Sequence, residues 1–216
     1  MCDEIWRKIV EIHGHTKVLT LRAEELDKEQ EFFFPPVIQQ RDAHDHFMRS
    51  KAASLGIKDF PDDEARRRYI VEHLDKALGH EYRAFFDIAD WLALIYRSQI
   101  SDMMTCYSVQ AITSVLPSYY PEIVPFVERI HRQIADIRQK KDIGAGDGVL
   151  AQVLEYRQLL EQLDDYWGQI AGVQGALKDC QAKLDCSDRK SGLIKVLIAL
   201  LGAAGGAVLG WMLRRP

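Results

Sequence analysis

The chain lacks most of the short signatures that announce a chemistry. Its four cysteines, Cys2, Cys106, Cys180 and Cys186, form no CxxC pair and no zinc-ligand spacing, which excludes a zinc finger and reads as reduced thiols in a cytosolic setting. The one glycine-rich stretch, GAGDG from Gly144 to Gly148, is not followed by the lysine and hydroxyl residue of a phosphate loop, and no strand precedes it. No GxSxG elbow is present. Twenty-eight basic residues face 32 acidic ones, so the net charge of −4 leaves no global basic field for nucleic acid. The first residues, MCDEIWRKIVEIHGH, contain acids and no apolar core, and do not read as a signal peptide. Strand-like alternation and solenoid repeats are missing as well.

What remains is helix. Ile5, Ile9, Ile12, Leu19 and Leu26 recur at helical spacing and predict a first helix from about Asp3 to Leu26. Phe32-Phe33-Phe34-Pro35-Pro36 forms a hydrophobic joint, with prolines suited to a first turn, and predicts a second helix running to Leu55 and stopping at Gly56. Pro61-Asp62-Asp63-Glu64 places acids on the positive end of a helix dipole and predicts a long third helix, about Asp62 to Val115. Pro117, Pro121 and Pro125 mark a connection, and a fourth helix is expected from Pro121 to Lys141.

The next helix, expected from Val149 to Asp185, carries the most regular pattern. Val153, Tyr156, Leu160, Leu163, Trp167, Ile170, Gln174, Leu177, Gln181 and Leu184 alternate by three and four, a heptad register. Leu159, Tyr166, Val173 and Cys180 widen the stripe beyond that of a two-stranded coil, so this helix is expected to pack within a bundle. Gln174 and Gln181 are polar residues at core positions, of the kind that fix register.

The final stretch differs from everything before it. Val196 to Leu213 contains no charge, with Lys195 before it and Arg214-Arg215 after it. As a helix it spans ~27 Å, close to the hydrocarbon core of a bilayer. Basic flanks can snorkel, and Trp211 suits an interface. Gly202, Gly206 and Gly210 recur every four residues, with Ala199, Ala203 and Ala207 beside them, a small-residue face that favours helix association in lipid. The competing reading is a helix buried in a soluble bundle. The tail resembles the glycine-rich C-terminal anchors of small bacterial inner-membrane helical proteins of the ElaB/YqjD type. That resemblance covers the last two dozen residues and does not carry ribosome binding to this chain.

The densest polar cluster is Arg41-Asp42-Ala43-His44-Asp45-His46. Asp42 and His46 are four apart, so the carboxylate can orient the imidazole and raise its pKa. Arginine, a polar residue, three residues and histidine resembles the motif of HEPN domains, helical bundles that include many RNA-cleaving toxins and defence nucleases. The resemblance implies catalytic roles for Arg41 and His46 and a supporting role for Asp42, at a dimer interface and without metal. The plain reading of the same residues, and the preferred one, is a solvated helix face with Arg41–Asp45 and Asp42–His46 pairs. Glu128 and His131 form one ExxH, whereas di-iron bundles need two such pairs and two further carboxylates. His73, His80 and Asp87 share a stripe but are separated by ~10.5 Å steps. His13 and His15 diverge on a helix. No metal site and no cofactor are expected.

The chain therefore reads as all-α: an elongated cytosolic helical bundle over residues 1–186, a polar hinge at 187–192 and one transmembrane helix over 193–216. The expected protein is a non-enzymatic, tail-anchored, single-pass membrane protein, its bulk on the cytosolic side of an inner membrane if bacterial. Its expected partners are the lipid bilayer, further copies of itself and a cytosolic protein, and a bacterial defence or stress effector fits these parts. The alternative is a membrane-tethered, HEPN-like ribonuclease acting on RNA.

Overall fold

Local sequence sets where each helix starts and stops. In the computed structural model, which describes residues 2–27, 33–139, 148–187 and 189–190, α1 spans Cys2–Leu26. Its apolar stripe, Ile9, Ile12, Leu19 and Leu26, is buried. Helix α2, Phe34–Ser54, opens with Pro35 and Pro36 in its first turn and ends ahead of Gly56, whose φ of 71° is the left-handed conformation glycine adopts without strain. Helix α3, Asp63–Thr105, is capped by Asp62, whose side chain accepts the Ala65 N–H at 2.7 Å.

Three expected helices turn out to be interrupted. The third stops at Thr105, and a short α4, Val109–Val115, follows. Ser108 causes the break: it caps α4 through the Ala111 N–H, while Gln181 accepts from both its backbone N–H (2.9 Å) and its hydroxyl (2.8 Å). The fourth begins with a π-helical turn, Tyr119–Ile123, and continues as α5, Val124–Gln139. Pro121 has no N–H to donate, and the wider turn lets the Ile123 and Val124 N–H groups reach five residues back, to Ser118 and Tyr119. The heptad helix is α6, Val149–Gly172, a turn at Val173, and then α7 over 174–187. Residues 187, 189 and 190 are helical where the polar hinge was expected; arginine and lysine are good helix formers.

Long-range pairs fix the topology. His13 meets Glu81, Arg22 meets Tyr96 and Gln99 meets the Leu26 carbonyl, so α1 and α3 run parallel. Tyr82 reaches Gln152, Trp167 reaches Gln99, and Tyr107 reaches Gln174, so α6 and α7 run parallel to α3 as well. Helix α2 is antiparallel: Phe33 stacks on Trp91 (5.0 Å), Gln39 meets His80 and His46 meets His73. The start of α5 packs beside Tyr166, and α6 restarts beside Tyr82, so α5 carries the chain back. The bundle is up-and-down, with α3 as its central post.

The core is continuous along α3, from Leu74 through Phe85, Phe86 and Leu92 to Ile100 and Met104. Phe86 stacks on Tyr156 of α6 at 5.6 Å. Of the heptad residues, Val153, Tyr156, Leu160, Leu163, Ile170 and Leu177 are buried, while Trp167 and Leu184 are half-buried. Their partner is α3 of the same chain. Among the described residues the fold is helical throughout, and no helix is long and apolar enough to cross a membrane. The anchor expected at 193–216, with Ala199, Gly202, Ala203, Gly206, Ala207 and Gly210, lies outside the described residues.

Candidate functional site: a histidine cluster and an open groove

Packing against α3 sets what the polar cluster of α2 can do. The Arg41 side chain is 73% exposed, and its Nε and Nη2 donate to Asp42 Oδ1 at 3.0 and 2.7 Å. That guanidinium holds the Asp42 carboxyl below the usual range. Arg49 pairs with Asp45 at 2.7 Å. The expected Arg41–Asp45 and Asp42–His46 pairs are thus replaced by Arg41–Asp42 and Arg49–Asp45. His46 faces inward instead, because its side of α2 packs on α3.

There it joins two histidines that sequence spacing had set apart. His46 Nδ1 and His73 Nδ1 lie 2.8 Å apart, and the His46 ring stacks on His80 at 5.4 Å between centroids. His73 and His80 sit two turns apart on α3, and His46 fills the gap between them. His80 Nδ1 lies 2.8 Å from Gln39 Oε1 and 3.3 Å from Arg83 Nη1, an acceptor and a donor that make opposite demands on its proton. Tyr69 packs against His73 at 4.2 Å, and Lys58 lies over the Tyr69 ring at 3.9 Å.

Burial pushes all three imidazoles below the ordinary histidine range. For His73 the neighbouring His46 adds to the effect. Asp42 does pull His46 upward, as expected, but burial outweighs it. Two imidazoles meeting nitrogen to nitrogen need one donor and one acceptor, so the His46–His73 contact fits a single shared proton and excludes a doubly protonated pair. Among the described residues no group of three or more His, Cys, Asp or Glu side chains is placed to hold a metal ion.

A second feature had no sequence forecast. Helices α1 and α2 both pack on α3 and leave an open groove of about 310 Å³ between them. Its apolar wall includes Trp6, Val10 and Phe47, with the Trp6 and Phe47 rings stacked at 5.1 Å. At its polar end lie His13, Gln40, His44 and Glu81. The Glu81 side chain is only 4% exposed, and both its oxygens lie 3.2 Å from His13 Nδ1. Burial pushes the Glu81 carboxyl up, against the pull of His13. The signal was present in the sequence: Glu81 falls in the apolar series Leu74, Leu78, Phe85, Ile88, where a carboxylate is out of place.

No model of a known protein family, no curated protein and no solved structure matches this chain.

Proposed function

We propose that this protein is a non-enzymatic docking module, held at a membrane by its C-terminal segment and assembled there through the face of Gly202, Gly206 and Gly210. Its bundle binds a protein partner on the cytosolic side. One observation carries the docking role. Helix α1 buries Ile9, Ile12, Leu19 and Leu26 against the bundle, yet Trp6, Val10, Val18 and Leu21 on its other side are exposed. A helix apolar on both sides is usually covered on both. The uncharged run from Val196 to Leu213 supports the membrane role, since its length matches a bilayer.

The reading is tested in two arms. Full-length protein should sediment with membranes when no detergent is added, and its detergent-solubilised assembly should shrink when 193–216 is removed or Gly206→Leu is introduced. Recovery in the supernatant overturns the anchor; an unchanged assembly overturns the glycine face. In the second arm, Val18→Asp with Leu21→Asp should abolish the cellular phenotype of the protein while leaving it in the membrane fraction. RNA cleavage that disappears when Arg41 and His46 are both replaced by alanine would assign the HEPN-like ribonuclease instead.

A further inference from the structure

The groove between α1 and α2 has a chemistry of its own. Its floor is Glu81, a carboxylate on a core position of α3 with its side chain more than nine-tenths buried. An ionised carboxylate accepts about four hydrogen bonds, and removing it from water is costly unless they are supplied. Among the described residues one group meets it, the Nδ1 of His13, shared between its two oxygens at 3.2 Å each. A single imidazole nitrogen leaves accepting capacity unused. The carboxylate also lines a cavity that opens to solvent, so a ligand can reach it.

The walls say what that ligand looks like. Trp6 and Phe47 form a stacked aromatic pair, and Ile9 and Val10 extend the apolar surface. Among the described residues, Gln40 and His44 are the remaining polar side chains of the lining, and no lysine or arginine belongs to it. A bare metal cation finds too few oxygen ligands here. An anion would meet Glu81 with no cationic side chain beyond histidine to hold it. A neutral apolar molecule would leave the carboxylate as it stands.

We propose that the groove is a binding site for a small organic cation, a protonated primary amine carrying an apolar body. The ammonium donates to Glu81, filling the accepting positions that His13 leaves open. The body packs on Phe47 and Val10, and the charge gains from the face of Trp6. Gln40 Oε1 offers a second acceptor. The volume suits a compact ligand of this kind. This site shares Trp6 and Val10 with the docking face but requires neither the membrane anchor nor Val18 and Leu21.

The test is calorimetry on the full chain in phosphatidylcholine nanodiscs near neutral pH, with empty nanodiscs as the blank. Phenethylamine is the probe. 2-Phenylethanol and 3-phenylpropanoate are its neutral and anionic counterparts. Saturable one-to-one binding of the amine is expected, with both counterparts at least about tenfold weaker, the scale of one charge-assisted hydrogen bond. Glu81→Gln, which keeps the shape and removes the charge, should erase the preference for the amine. Trp6→Leu leaves the Glu81–His13 pair intact and should weaken the amine severalfold, with the helical circular-dichroism spectrum of each variant checked against the parent. Equal binding of alcohol and amine, an unaffected Glu81→Gln variant, or no heat from the amine would each overturn the proposal. If neither variant folds, the comparison of the three probes on the parent protein decides it.

Discussion

The Tyr96 hydroxyl donates to Asp164 Oδ1 at 2.7 Å, and that single oxygen ties three helices together. Arg22 of α1 donates to the same atom through Nη2 at 2.5 Å and to the Tyr96 oxygen through Nε at 3.0 Å. Burial and the Asp164 carboxylate push the Tyr96 hydroxyl above the ordinary tyrosine range. The triangle links α1 and α6 to α3 at one level of the bundle.

Asp164→Ala should therefore cost more than an ordinary surface substitution. It leaves Arg22 and Tyr96 without their shared acceptor, a loss of about 1–3 kcal/mol, whereas Tyr96→Phe removes one donor and should cost about 1 kcal/mol. The double variant should fall short of the sum, because both changes break the same contact. Urea unfolding of the four proteins measures each value.

Position on the α6 stripe should decide the effect of a leucine. Leu163 is fully buried against the core and Leu154 is 40% exposed. Leu163→Ala is expected to cost about 2–5 kcal/mol, through lost transfer energy and the cavity left behind. Leu154→Ala should stay within about 0.5 kcal/mol of the parent. Equal effects in the same unfolding experiment would mean that the stripe has been assigned to the wrong face.

The joint between α3 and α4 rests on Ser108. Ser108→Ala removes the cap on Ala111 and the hydroxyl that Gln181 accepts, and should destabilise by about 1 kcal/mol. Backbone hydrogen exchange should speed up in α4 and over 174–187 together, because Gln181 loses one of its two bonds to Ser108. Exchange that changes in α4 alone would show that the cross-helix bond carries nothing.

Acid should weaken the fold before it affects most carboxylates. His15, His46, His73 and His80 are all pushed down, with burial the leading cause for each. A histidine held low in the native state binds fewer protons than in the unfolded chain. Its stabilising effect is complete above the unfolded value of about 6.5 and is lost as the pH falls from there through the native values. Glu81, pushed up, works in the opposite sense: its contribution is present at low pH and lost as pH rises through its native value. The melting temperature should thus drop between about pH 7 and pH 5. The drop should be smaller for His46→Asn, which does not titrate, and larger for Glu81→Gln. A melting temperature flat over that range would contradict the buried positions of the histidines.

Features set within a few residues were legible in the sequence. Asp62 capping α3, the prolines opening α2 and Gly56 closing it all act through neighbouring atoms, and the period of α6 marks its buried side. What escaped depended on residues far along the chain. The break after Thr105 carries a local signal, the Ser108 cap of α4, but its brace is Gln181, more than seventy positions later. His46 was paired with Asp42 because helical spacing makes them neighbours, but packing on α3 outweighed an exposed ion pair and turned the imidazole toward His73. The groove emerged only once α1 and α2 were set side by side on α3. Glu81 alone gave notice of it, as a carboxylate among leucines and phenylalanines.

The shared direction of α1, α3 and α6 also sets a depth. Glu81 lies in the middle stretch of the post, whereas Gln181 meets Ser108 beyond its C-terminal end, about 40 Å away along the helix axis. The last described residues, 189 and 190, follow α7 toward that C-terminal end. Were the residues beyond them to enter a bilayer with the bundle axis along its normal, the cation pocket would stand several Debye lengths from the headgroup charge at physiological salt. A cation would then be drawn from bulk solution at its true concentration, with no enrichment by anionic lipid, and occupancy would report the solution around the bundle and not the membrane surface.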